Sequence, residues 1–310
     1  MKSTSMLVVG SINMDLVLPV PRLPQAGESL FGKTYTYVPG GKGANQAVAA
    51  ARLGAQVSFC GRVGNDDNGR TLVQNLANDG IDTSGIVFDD TTPTGLAVIP
   101  VEPNGQNRII IVPGANLCVT RADLQKAFER EFSVVVAQLE VPLDIVFEAY
   151  ALARARQIPF VLDAGPAMSI DLSPLTGIEV LSPNETEIFA LTGIAADTDE
   201  GAVEAAAALA RRYETKAVVL KLGGRGALLY QNGCAELIPT FQRIKPVDTT
   251  AAGDSFTAAL AMRMAQGWTL PDAIRYAHAV GSICVTRKGA QPSLPTAAEV
   301  EAFLKDPSVF

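Results

Sequence analysis

Val247-Asp248-Thr249-Thr250-Ala251-Ala252-Gly253-Asp254-Ser255-Phe256 is the stretch on which the reading of this chain turns. Small residues at 251–253 lead into a segment with Phe256, Ala259, Leu260 and Met264 at helical spacing, stopped by Gly267. A helix opening there aims the N–H groups of Ala251, Ala252, Gly253 and Asp254 at one point, with the positive end of the helix dipole behind them. Such a nest suits a transferring phosphoryl group or another oxyanion. Asp254 then stands where a carboxylate takes a proton from an attacking hydroxyl. The plain alternative is a helix start with an acidic residue in its first turn.

Working outward, short apolar runs alternate with longer amphipathic or Ala-rich stretches. Strands are expected at Met6–Val9, Val57–Phe59, Val134–Leu139, Phe160–Leu162, Val180–Leu181, Ala217–Lys221 and Ala227–Tyr230. Helices are expected at Ala44–Leu53, Gly69–Asp79, Ala122–Glu131, Leu143–Arg156, Glu185–Leu191, Glu200–Arg212, Ser255–Gln266, Leu270–Thr286 and Thr296–Leu304. Val- and Ile-rich runs separated by helices predict an α/β fold whose parallel sheet is covered on both faces. Two regions break the rhythm. Asp15–Val38 holds extended segments (Asp15–Val20 and Ser29–Val38) around Pro19, Pro21 and Pro24, and Thr94–Val101 pairs with Arg108–Val112 around Pro103-Asn104-Gly105. Together they predict a small sheet acting as a lid, or an edge extension of the main sheet.

The chain has 310 residues, 48% of them hydrophobic and 18% charged, which supplies a large core. No repeat or low-complexity linker divides it, so one domain over 1–310 is expected. The net charge of −7, with no basic run beyond Arg211-Arg212 or Arg287-Lys288, argues against a nucleic-acid partner. Cys60, Cys118, Cys234 and Cys284 form no C-x-x-C pair, and His278 is the only histidine. A structural zinc is thereby disfavoured, and the cysteines read as small buried hydrophobes in a reducing compartment. No signal peptide and no apolar run of membrane-spanning length is present, so a soluble cytoplasmic protein with no membrane partner is expected.

Several other stretches carry polar chemistry. Gly40-Gly41-Lys42-Gly43-Ala44-Asn45 lets backbone approach a ligand, while Lys42 and Asn45 offer donors to hydroxyls or phosphates. It lacks the P-loop spacing, and reads equally as a tight turn into a helix. Val8 to Asn13 makes no dinucleotide fingerprint, which disfavours a dinucleotide-dependent oxidoreductase. Asn13 and Asp15, following the first strand, are placed at the carboxyl edge of the sheet, where open α/β folds bind ligands. Ser182-Pro183-Asn184-Glu185-Thr186-Glu187 suits hydrated Mg²⁺, or a capped helix start with Glu187 as capping-box partner. Lys221-Leu222-Gly223-Gly224-Arg225-Gly226 fits nucleotide phosphates or ribose, or a hairpin turn.

In order, Gly40–Ala47 (GGKGANQA), Ser182–Glu187 (SPNETE), Asp248–Phe256 (DTTAAGDSF) and Thr286–Ser293 (TRKGAQPS) resemble the ribokinase-like carbohydrate kinase family. The resemblance starts at Gly10 and covers nearly the whole chain. It implies a three-layer α/β/α fold with a mostly parallel central sheet and a small β lid over about 15–38 and 94–112. It also implies a homodimer through that lid. The implied activity is ATP-dependent phosphorylation of D-ribose at O5, with Asp254 as general base and an anion hole at 251–254. Asn13, Asp15, Gly41, Lys42, Asn45 and Glu140 then hold the sugar. Asn184, Lys221, Leu222, Gly223, Gly224, Arg225, Gly226, Gly253, Asp254 and His278 meet ATP. Glu187 helps to organise Mg²⁺ through water, and Asp248, Thr250, Cys284, Arg287, Gly289 and Ser293 map to a K⁺ loop. Alternatives within the family are kinases for 2-deoxyribose, a nucleoside or a ketohexose; outside it stands a non-catalytic sugar- or nucleotide-binding regulator. The chain departs from the family at three places: Asp163-Ala164-Gly165-Pro166-Ala167 replaces Asn-Pro-Ala-Pro-Ala, Lys221 replaces Thr or Ser, and Met14 sits between the two sugar-side polar residues.

Overall fold

The computed structural model describes residues 4–103 and 106–309; Asn104 and Gly105 of the expected lid turn, and the first three residues, lie outside them. The chain runs β1 (Ser5–Val9), β2 (Asn13–Pro19), β3 (Thr36–Gly40), α1 (Lys42–Arg52), β4 (Gln56–Gly64), α2 (Asp67–Asn78), β5 (Asp82–Asp89), β6 (Gly95–Val101) and β7 (Ile110–Val112). It continues through α3 (Arg121–Ala127), β8 (Val134–Ala137), α4 (Leu143–Ala155), β9 (Phe160–Asp163), β10 (Val180–Ser182), α5 (Glu185–Thr192) and α6 (Asp199–Tyr213). The last elements are β11 (Ala217–Lys221), β12 (Ala227–Gln231), β13 (Cys234–Ile238), α7 (Ala252–Ala265), α8 (Leu270–Cys284) and α9 (Ala297–Lys305).

Among the described residues, nine strands form one sheet in the order β13-β12-β11-β10-β9-β8-β1-β4-β5. Pairing is parallel from β5 across to β11, and antiparallel only at β11–β12 and β12–β13. From β1 the chain winds first towards β4 and β5, then reverses towards β8 and beyond. That reversal makes the carboxyl ends of β1 and β8 a topological switch point, where open α/β sheets leave a crevice for ligands. Period 2 explains the apolar strands: Met6 and Val8 of β1 pack with the helices α1, α7 and α8, while Leu7 and Val9 pack with α4 and α6 on the opposite face. With no polar face to expose, the strands are nearly continuous hydrophobic runs.

The departures from expectation have physical causes. β5 and β13 are the sheet edges, partly exposed, so their sequences need no apolar run to announce them. α7 opens at Ala252, three residues before the expected Ser255, and α3 stops at Ala127 rather than Glu131. Cys60 and Cys284 are buried as expected, but Cys118 is only partly so and Cys234 is exposed on the edge strand. No described helix is long and apolar enough to cross a membrane.

A second sheet, ordered β3-β2-β6-β7, is built from the two irregular regions. β2 and β6 pair in parallel, with β3 and β7 antiparallel on the outside. The extended segment expected from Ser29 forms a strand only from Thr36. Met14 points into the main hydrophobic core, so β-strand alternation turns it away from Asn13 and Asp15 and it does not crowd their face.

Candidate active site

Two helices, α1 and α7, meet at Asp254. α7 lies against α1 and α8, with residues 254–263 all buried, including the polar Asp254, Ser255, Thr257 and Arg263. Its packing on α1 brings Asn45 Nδ2 to 2.8 Å from Asp254 Oδ2, while Lys42 Nζ stands 3.6 Å from Asp254 Oδ1. The residue before α7, Ala251, adopts the left-handed conformation at φ +60°, and Ala252 N–H is donated to the Thr249 carbonyl at 3.2 Å. Of the four expected nest amides, Ala252 is therefore already engaged. Gly253 and Asp254 supply the first-turn donors that a helix leaves without intrahelical partners.

The Gly-rich run is both of the things its sequence allowed: a turn into α1 and a close approach of backbone. Gly41 caps α1 at φ +91°, and a Cβ there would lie 2.7 Å from the Asn13 amide nitrogen; one at Gly43 would lie 2.7 Å from that of Ser11. The loop thus closes onto the carboxyl end of β1. Ser11 Oγ donates to Glu140 Oε2, and the Lys42 amide donates to the same oxygen at 3.2 Å. Asn13 opens β2 and is buried, its Oδ1 accepting from Asn116 Nδ2 at 2.7 Å. Asp15 lies over Gly40, where a Cβ would come within 2.2 Å of its carboxylate.

These placements concentrate charge. Burial, reinforced by Glu140 and Asp254, pushes the Asp15 carboxyl up to about 7. Burial likewise raises Glu140 above the usual carboxylate range, although Lys42 and the Ser11 hydroxyl pull the other way. Burial opposes the charge on Lys42, but Asp254, Asp163, Glu187 and Glu140 around it hold its pKa well above the ordinary lysine value. Lys42 is therefore a permanent cation inside a ring of acids.

On the other side of Asp254 lies a cavity of about 250 Å³, lined among others by Lys221, Gly223, Gly224, Gly226, Gly253 and His278. The 221–226 segment is indeed a hairpin turn, joining antiparallel β11 and β12, and three of its glycines face the cavity. Leu222 is buried in the core, and Arg225 is committed to Glu185 (2.7 Å) and Asp199 (3.2 Å), so neither is among the lining residues. His278 Nε2 lies 3.1 Å from the Ile238 carbonyl, and burial lowers its pKa to about 4, leaving a neutral ring beside Phe256. Asn184 caps α5 through Oδ1 to the Glu187 amide (2.8 Å), and Glu187 Oε2 accepts from the Asn184 amide (2.7 Å). The capping box read from sequence is present, while the other Glu187 oxygen faces Gly165 and Lys42. Asn184 is not among the cavity's lining residues.

The expected cation loop also comes together. Thr250 N–H and Oγ1 donate to Asp248 Oδ1 (3.0 and 2.6 Å), and Gly289 N–H donates to Asp248 Oδ2 (2.9 Å). Cys284 Sγ lies 3.6 Å from the Thr250 carbonyl and 3.0 Å from Ser293 Oγ. The Arg287 side chain is engaged by Glu299 at 2.6 Å, and its amide donates to the Cys284 carbonyl at 3.1 Å.

Sequence reasoning noted Asp163 only as a departure from the family pattern, without a role in the site, and assigned none to Asn116, Gln46 or Gln138. Asp163, at the carboxyl end of β9 and fully buried, accepts from Lys221 Nζ (2.8 Å), Thr257 Oγ1 (2.8 Å) and Gln46 Nε2 (3.3 Å). Gln138 Nε2 bonds Gln46 Oε1 at 2.6 Å. The strand-end position of Asp163 was a usable signal; Asn116, Gln46 and Gln138 gave none.

The model of the pfkB family carbohydrate kinases matches residues 3–297. The chain belongs to that family. Against a ribokinase of Haemophilus influenzae, this pfkB-family kinase is 38% identical over 307 residues, covering 97% of the chain and 98% of the relative. Against a deoxyribokinase of Salmonella typhi it is 33% identical over 300 residues, covering 96% and 97%. Its fold matches that of Arabidopsis thaliana ribokinase complexed with ribose and ATP, with a TM-score of 0.88 at 35% identity over 98% of this chain and 99% of that one. The mostly parallel main sheet with its helices and the second small sheet are thus the architecture of a ribokinase structure.

Proposed function

We propose that this chain transfers the γ-phosphoryl group of ATP to O5 of D-ribose, giving D-ribose 5-phosphate and ADP. The observation that carries the reading is the placement of Asp254. Its carboxylate is held by Asn45 and faced by Lys42, with the polar ring of Asn13, Asp15 and Glu140 on one side and the glycine-lined cavity on the other. In this reading the ring and the Gly41–Lys42 backbone bind the sugar hydroxyls, and the cavity takes the nucleotide. Asp254 accepts the O5 proton as the O5–phosphorus bond forms. The bond from the γ-phosphorus to the β,γ-bridging oxygen breaks, and its electron pair leaves with ADP. The Gly253 and Asp254 amides stabilise charge on the transferring group, so positioning and electrostatics do the catalysis without a covalent intermediate.

Mg²⁺ is held chiefly by phosphates and waters in such sites; Glu187, with one carboxylate oxygen facing the acid-and-lysine cluster, fits the role of meeting that water shell. Bound there, Mg²⁺ neutralises phosphate charge. A K⁺ ion is the cation we assign to the Asp248 loop, which holds the Asp248 carboxylate and the Thr250 carbonyl close to Cys284, Gly289 and Ser293, and it would fix the segment leading into α7. The second sheet acts as a lid on a single kinase domain. Its exposed Tyr35, Tyr37, Ile110 and Val112 support a homodimer formed through it. The cytoplasm, where ATP is abundant, is the compartment that suits this activity.

The likeness to a deoxyribokinase makes 2-deoxyribose the second reading. A coupled ADP-release assay over ribose, 2-deoxyribose, fructose and adenosine separates them. Ribose should give the highest kcat/KM; a preference for another acceptor would transfer the reading to that sugar, and no turnover with any would favour a binding protein.

A further inference from the structure

Two charged residues far apart in the sequence, Asp163 and Lys221, meet in space. Lys221 ends β11 and Asp163 ends β9, with β10 between them, and the lysine reaches across the top of β10 to place Nζ 2.8 Å from Asp163 Oδ2. Asp163 is fully buried, and its carboxylate is saturated: Oδ2 also accepts from Thr257 Oγ1 and Gln46 Nε2, and Oδ1 from the Gly165 amide at 3.2 Å. The Lys221 side chain is 12% exposed, and the part that is not buried faces the cavity. A Cβ built on Gly253 would lie 3.9 Å from Lys221 Nζ, so the ammonium stands over the first turn of α7.

We propose that Asp163 and Lys221 act as one device, in which the buried carboxylate fixes the lysine ammonium beside the α7 amides as a catalytic cation for the transferring phosphoryl group. The proposal rests on the kinase reading above and adds a residue pair to it. Three features carry it. A buried ion pair is a poor way to gain stability, since its desolvation cost offsets most of the attraction, so a pair bordering a cavity calls for another use. Arg225, the other cation of the turn, is turned away to Glu185 and Asp199, which leaves Lys221 as the one Lys or Arg among the described residues lining the cavity. A saturated, immobile anchor is also what a preorganised charge requires, because the cation then needs no reorganisation as negative charge builds on the phosphoryl oxygens. Lys221 neither gives nor takes a proton in the step: O5 still loses its proton to Asp254, and the leaving electron pair still goes to ADP. Lys221 is the catalytic residue here and Asp163 the positioning residue.

The test compares Lys221→Met, Asp163→Asn, the double variant and Lys221→Arg with the wild type, using kcat, KM for each substrate and Tm. The double variant matters because Lys221→Met alone leaves a buried unpaired carboxylate and can fail to fold. The expected result is a kcat loss of about 10²–10³-fold in Lys221→Met and in the double variant, the size of losing one anion-hole donor. KM for the sugar should stay within about threefold, and the double variant should keep a near-wild-type Tm. Asp163→Asn should lose about 10²-fold in kcat through a displaced cation, and Lys221→Arg should recover part of the Lys221→Met loss. Calorimetric binding of MgADP with tetrafluoroaluminate, a mimic of the transferring group, should weaken in the double variant and does not depend on which sugar is the acceptor. A wild type that ignores ribose would overturn the ribose reading alone. A folded double variant with wild-type kcat, or with undiminished affinity for the mimic, would overturn the role given to this pair.

Discussion

Replacing Asp15 by Asn should stabilise the unliganded protein, and increasingly so as pH rises. Asp15 packs over Gly40 with Glu140 and Asp254 nearby, and its carboxyl is pushed from 3.8 to about 7, first by burial and then by those two charges. The native state therefore binds a proton on Asp15 over a range in which the unfolded chain has released it. Stability from this group is greatest below 3.8, falls as pH rises through the window, and levels off above about 7. At 1.36 kcal/mol per pH unit, the full window corresponds to about 4 kcal/mol, and the portion already lost at pH 5 to about 2 kcal/mol. Asparagine keeps the shape and carries no charge, so the variant should gain about 2 kcal/mol at pH 5 and about 4 kcal/mol at pH 8 relative to wild type. For a chain of this size roughly 2 °C accompanies each kcal/mol, so the Tm advantage should more than double between those pH values. The assay is thermal unfolding of both proteins across pH 5–9 without sugar, alongside KM measurements. KM for ribose should rise far more than KM for ATP, because the lost carboxylate belongs to the sugar side. A Tm difference that is flat with pH, or a variant less stable than wild type at pH 8, would refute the reasoning.

Asp254→Asn retains the Asn45 contact geometry but removes the proton acceptor, so kcat should fall by about 10²–10⁴-fold with sugar affinity little changed; turnover above a tenth of wild type would refute the base role. Ala251→Gly should stabilise the protein by about 0.5–1 kcal/mol, since the left-handed backbone costs an L-residue about 1–2 kcal/mol and glycine returns part of that as unfolded-state entropy; denaturant titration reads it, and a loss of stability would show that the Ala251 methyl is needed for packing. Exchanging K⁺ for Na⁺ or a bulky organic cation at fixed ionic strength and saturating MgATP should lower kcat several-fold with little change in KM, because the Asp248 loop positions α7 without touching substrate; equal turnover in all three salts would sink it.

How far the sequence carries can be judged element by element. The Val-rich strands from β8 to β11 are legible because a parallel strand covered on both faces has no choice but to be apolar. β5 and β13 are not, because an edge strand carries polar residues without penalty. The Gly40–Asn45 and 251–254 runs announce close backbone approach, since small residues are demanded locally by φ values and contacts such as those at Gly41 and Gly43. The chain of the site is another matter. Asn45 meets Asp254 across 209 positions of sequence, Lys221 meets Asp163 across 58, and Asn116 meets Asn13 across 103. Nothing local to any of these residues encodes the partner, because hydrogen-bond partners are chosen by which helices and strands pack together. By itself the sequence determined the layered α/β architecture, the helix that begins at the 251–254 run and the kinase family. Only the tertiary structure decided that Arg225 turns away from the cavity, that Asp15 is pushed towards neutrality, and that Asp163 and Lys221 are partners. Each of those follows from burial and from distances between segments far apart in the chain, which no local pattern of residues can carry.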